Sequence, residues 1–164
     1  MEIKMIDQSL GKEFIAFFER YLSFYKEFLQ LEKEKFDIVS TNRVSELDGC
    51  VKREEAFMLK SKGMDLERDR LMQKTEKPNA TFREIIPLFD ESQREAVQTL
   101  FDTFSKVLLE FKELNLRCNY LTELRLNRIK IELKKLENRP DLQKLYNEKA
   151  KEKGIGPTFL SRKV

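Results

Sequence analysis

Histidine and tryptophan are absent from the 164 residues, and glycine (5), proline (4) and cysteine (2) are scarce. Without histidine there is no Ser-His or Cys-His nucleophile pair, no imidazole general base and no histidine-bearing zinc or di-iron site. Cys50 and Cys118 are single, far apart and on apolar helical rows. They read as buried thiols of a reduced compartment rather than a disulfide. No uncharged run reaches the roughly 18 residues of a membrane span. The opening Met1-Glu2-Ile3-Lys4-Met5-Ile6 lacks the apolar run of a signal peptide. These absences predict a cytoplasmic protein with no membrane insertion.

The chemical motifs are missing as well. There is no G-x-x-x-x-G-K-[ST], no G-x-G-x-x-G, no H-E-x-x-H and no C-x-x-C. The carboxylates follow helical-surface spacing, with no sign of a pocket that would split the pKa values of a catalytic pair. The expectation is no enzyme, no cofactor and no metal. Charge is plentiful, with 32 basic and 29 acidic residues, but the net of +3 is too small for a general field that would attract nucleic acid.

What remains is helix. Phe14, Phe18, Tyr21, Tyr25 and Phe28 recur at spacings of four and three, widened by Phe17, Phe24 and Leu31. The spacing predicts an amphipathic helix from about Lys12 to Val39 whose aromatic stripe is a thick core seam. Ser40-Thr41-Asn42 breaks it. A second helix runs to about Lys74 on two rows of heptad spacing, Val44-Val51-Met58 and Cys50-Phe57-Met64-Leu71. Thr75 to Ala80 is a connector. Thr81-Phe82-Arg83-Glu84 is a capping box for one short helical turn that Pro87 ends, and the apolar segment Phe82 to Phe89 suits the end of a bundle.

Ser92-Gln93-Arg94-Glu95 reads as a second capping box, opening a long third helix. Its rows Val97-Phe104-Phe111-Cys118 and Leu100-Val107-Leu114-Leu121, with Phe101 and Leu108, make a face wide enough to touch two helices at once. The apolar line continues through Leu126, Ile129, Leu133 and Leu136 until Asn138-Arg139-Pro140 stops the helix. Residues 138–164 hold seven Lys or Arg against three Asp or Glu, with Gly154, Gly156 and Pro157 as breakers and Tyr146, Ile155, Phe159 and Leu160 as scattered apolar points. The predicted fold is all-α: an elongated antiparallel three-helix bundle or coiled coil over 1–137, with a short connecting helix, then a flexible basic C-terminal tail over 138–164.

Length adds a functional expectation. At 1.5 Å per residue the first two helices span roughly 42 and 48 Å and the third roughly 68 Å. The third therefore overhangs by roughly 20 Å, leaving Leu121, Leu126, Ile129, Leu133 and Leu136 short of cover. Such a stripe is filled by a client helix, by a second copy in a homodimer, or by the chain's own tail.

Asn115 and Asn119 lie one turn apart at the apolar face, either fixing register on the seam or serving as surface amides. With Leu114, and Leu121 or Tyr120, they form Leu-Asn-x-x-x-Asn-x-x-Leu with one position of slack. At this run the chain resembles the FlgN family of flagellar type III export chaperones. The charged run Lys52-Arg53-Glu54-Glu55, Glu67-Arg68, and Leu145-Tyr146 followed by Gly154 add to the likeness, which covers most of residues 10–164. The resemblance implies a cytoplasmic helical chaperone that binds the C-terminal amphipathic helices of the hook-associated proteins FlgK and FlgL. By the same resemblance, Leu121, Leu126, Ile129, Leu133 and Leu136 hold the client, and Tyr146 docks on the export gate component FlhA. The alternative is a self-associating coiled-coil scaffold with no export role.

Overall fold

The computed structural model describes residues 4–152, with backbone alone for 142, 143 and 152. Helix α1 spans Gln8–Ser40, α2 Val44–Gln73, α3 Phe82–Ile85, α4 Glu91–Glu137 and α5 Pro140–Glu152, with a 3-10 turn at Ile86–Leu88 after α3. No strand occurs among the described residues. The all-α bundle is as the periodicity predicts.

Helix α1 begins earlier than its aromatic stripe because Asp7 caps it, accepting from the Leu10 amide at 2.7 Å. It ends where Thr41 Oγ1 donates back to the Asp37 carbonyl at 2.6 Å. Asn42 then takes a left-handed φ of 59°, a conformation its short polar side chain tolerates, and reverses the chain into α2. Arg43 braces the reversal by pairing with Asp37 and Glu46.

Cross-helix pairs set the packing direction. Glu13 meets Lys74, Arg20 meets Glu67, Tyr21 donates to Asp65 at 3.1 Å, and Glu34 meets Arg53, so α1 and α2 are antiparallel. Along α4 the sense is reversed. The Gln8 carbonyl accepts from Gln93 Nε2 at 3.1 Å, and the Ser40 carbonyl accepts from Arg125 at 3.2 Å. Helices α1 and α4 are therefore parallel, and the bundle runs up, down, up. Most of these pairs are exposed and worth little energy singly, but they mark the register.

The α1 aromatics fill the seam. Tyr21 stacks on Phe104 of α4 at 4.8 Å, and Phe28 stacks on Phe57 of α2 at 5.1 Å while touching Phe111 of α4 at 4.6 Å. Below them Ile85, Ile86, Leu88 and Phe89 close the base, with the Ile6 amide donating to the Leu88 carbonyl at 2.8 Å. The capping box of Thr81 and Glu84 forms as its sequence requires.

Two expectations are corrected. The cap of α4 is Asp90, which accepts from the Ser92 amide at 3.1 Å, so the helix starts before the Ser92-Glu95 box. And part of the expected tail is helical. Pro140 presets the first turn, Asp141 faces the helix N-terminus, and Lys149 and Lys151 sit at the C-terminal turn, so α5 forms despite its low apolar content. The breakers Gly154, Gly156 and Pro157 and the points Ile155, Phe159 and Leu160 lie outside the described residues.

Candidate functional site

The overhang is present. Arg125 of α4 lies at the last residue of α1, and α4 continues to Glu137, twelve residues or roughly 18 Å further. At the root of this extension is a cavity of about 310 Å³. One wall is the end of α1 and the start of α2, with Ile38, Val39, Asn42, Val44 and Leu47. The facing wall is α4, with Thr122, Leu126 and Ile129 inside and Arg125, Arg128 and Glu132 at the rim. Tyr146 of α5 closes a third side.

The residues singled out by sequence divide here. Leu126 and Ile129 line the cavity together with Tyr146. Leu121 lies just before this wall, and Leu133 and Leu136 lie on the extension beyond Ile129; all three are half-buried and none lines the cavity. The stripe is thus less bare than the length argument implies. The α1–α2 corner reaches past the last turn of α1, and α5 returns alongside α4.

Helical periodicity does not mark the α1–α2 corner as a wall. Val44 and Leu47, spaced by three directly after the break, were its signal in the sequence.

The asparagines serve a different feature. Asn115 donates to Glu32 at 3.4 Å and accepts from Asn119 at 3.2 Å, so the pair reaches across the seam to α1. Leu114 is half-buried beside Asn115 and Asn119 is exposed. Glu32 is fully buried, with Oε1 lacking a hydrogen-bond partner and Oε2 3.9 Å from Lys35. Lys35 in turn donates to Glu54 at 2.8 Å. Burial, then the nearby Glu54 carboxyl, pushes the Glu32 pKa up to about 7 against the pull of Lys35. Burial pulls Lys35 down, but Glu54 and Glu32 outweigh it and hold its ammonium charged. This polar waist separates the aromatic core from the groove above. Burial also raises the Cys118 thiol to about 11, so it is not a reactive nucleophile; Cys50 is buried too.

No cluster of metal-ligating side chains occurs among the described residues, and no described helix is long and apolar enough to cross a membrane.

Fold and cavity together define an elongated all-α bundle with an apolar groove at the free end of its longest helix. A sequence model of the FlgN protein family matches residues 5–154, and the chain belongs to that family, the flagellar export chaperones. No curated protein and no solved structure matches it. Membership assigns a general role in flagellum biogenesis as a chaperone of hook-associated proteins.

Proposed function

We propose that this chain holds an amphipathic C-terminal helix of FlgK or FlgL in the groove at the α4 overhang and delivers the client to the export gate through FlhA. The carrying observation is the twelve-residue extension of α4 past α1, with Leu126 and Ile129 facing a cavity rather than packed core. A helix laid into such a groove uses anchors at i, i+3, i+4 and i+7. The extension from Arg125 to Glu137 carries five Lys or Arg against two Glu, so the fitting client has carboxylates flanking its apolar anchors. Leu121, Leu133 and Leu136 continue the client track on either side of the cavity. Tyr146, on the short helix that returns alongside α4, is the residue assigned to gate docking in the cytoplasm.

Titration of a synthetic FlgK or FlgL C-terminal helix tests the site. Ile129→Asp is expected to abolish binding while the three long helices stay folded, so that circular dichroism loses at most the 13 residues of α5. Equal binding by variant and parent would refute the groove. Tyr146→Ala is expected to weaken retention on immobilised FlhA.

A second reading rests on a separate observation. Leu109, Leu116, Tyr120, Leu124 and Ile131 are all exposed, and they recur along the face of α4 opposite Ile129. That row supports a self-associating scaffold in which α4 pairs with α4 of a second copy. Light scattering separates the readings: the chaperone is a monomer that binds the helix one to one, and the scaffold is a tight dimer indifferent to it.

A further inference from the structure

We propose that α5 is a built-in occupant of the groove: it seats Tyr146 where a client side chain goes, and a client helix displaces it. This rests on the groove being the client site.

The chain is built to make the return. Helix α4 stops at Glu137, and the Arg139 amide donates to the Leu136 carbonyl at 3.0 Å, closing the last turn. Arg139 pairs with Asp141 at 3.6 Å across the corner, and Pro140 starts α5 with its φ already set. Two residues between helices leave α5 little choice but to double back along α4. Six residues on, Tyr146 stands in the cavity with Ile129 and Glu132. The phenol ring is the largest side chain α5 offers, and it fills one side of the space that an incoming anchor needs.

The seating is shallow. Among the α5 side chains the structure describes, Tyr146 and Ala150 are half-buried, Leu145 stays 53% exposed, and Lys144, Glu148, Lys149 and Lys151 face water. A helix of 13 residues is marginal by itself. What keeps it in place is the tether, which gives α5 an effective concentration on the order of millimolar at the groove. A longer client helix with more anchors outcompetes such an occupant, whereas a stray apolar segment with one or two does not. Tyr146 is therefore sheltered in the empty protein and released in the loaded one.

The absence of tryptophan makes the test direct, because Tyr146→Trp in the full chain is a sole reporter. In the free protein its emission is expected to be blue-shifted relative to the urea-unfolded chain, and Ile129→Asp is expected to shift it toward the unfolded value. Saturation with a synthetic FlgK C-terminal helix is expected to do the same. Tyr146→Ala is expected to bind that helix about tenfold more tightly if α5 fills the groove nine-tenths of the time. Solvent-like emission in the free protein overturns the proposal whatever the client does. Binding that leaves the emission unmoved, or an unchanged affinity for Tyr146→Ala, overturns the proposal and leaves the client site standing. No binding by parent or by Tyr146→Ala overturns the client site and the proposal together.

Discussion

Glu32 sits in an environment at odds with its chemistry. Its carboxyl is fully buried and half unsatisfied between three helices. Against an ordinary value of 4.5, its pKa of about 7 means the folded chain holds this proton more tightly than the unfolded chain. By linkage the group's stabilising contribution is complete below pH 4.5 and is lost as pH rises through about 7. Glu32→Gln keeps the shape and the Asn115 contact while removing the charge, and Lys35 keeps Glu54. The variant is expected to melt higher than the parent at pH 8 by an amount on the order of 1–2 kcal/mol, or roughly 2–4 °C for each. The difference should vanish near pH 4. Calorimetric scans across that range check it, and a lower Tm at pH 8 would mean that the Glu32–Lys35 attraction outweighs burial.

At the scale of the helix, α2 contrasts with α1. Its outer face carries Gly49 and Gly63, and a Cβ built at either meets nothing within 4 Å. Neither requires a left-handed backbone, so each is a helix-interior glycine without a packing reason. Gly49→Ala and Gly63→Ala are each expected to stabilise by about 1 kcal/mol, read as an additive rise in the urea midpoint at constant m-value. Gly11 differs, because a Cβ there would stand 2.0 Å from the buried Gln93 Oε1 where α1 and α4 press together.

The three long helices were legible because each shows many turns of one period. Caps were less so. Ser92 and Asp90 are both good caps, and only the hydrogen bond chooses between them. Helix α5 was illegible for a physical reason: its apolar residues are too few to set a period, and its return is marked by the corner at Arg139 and Pro140 and by Tyr146 in the cavity wall. The groove was half legible. Leu126 and Ile129 follow from periodicity, whereas the α1–α2 corner opposite them depends on the parallel register of α1 and α4, which periodicity within a helix does not encode.

At the scale of the molecule the question is whether so elongated a bundle is one cooperative unit. Its buried side chains fall into two clusters along the axis, one around Phe14, Phe17, Phe18 and the base, the other around Phe24, Phe28 and Cys50. Tyr25 and Met64 pack against both, so no solvated layer divides them. Phe28 joins all three long helices through Phe57 and Phe111. Phe28→Ala is expected to cost about 3–5 kcal/mol, and Phe17→Ala a similar amount by the same cavity argument. Because the clusters share residues, both variants should lower one common transition. Helical circular dichroism and tyrosine fluorescence should report the same midpoint. If Phe28→Ala instead splits the curve and leaves the Phe17 half folded, the bundle is two units in series. The overhang is then coupled to the upper unit alone, since its groove is walled by Ile38, Val39, Val44 and Leu47 from that half. A client bound there would raise only the upper transition, whereas in a single unit it raises the whole.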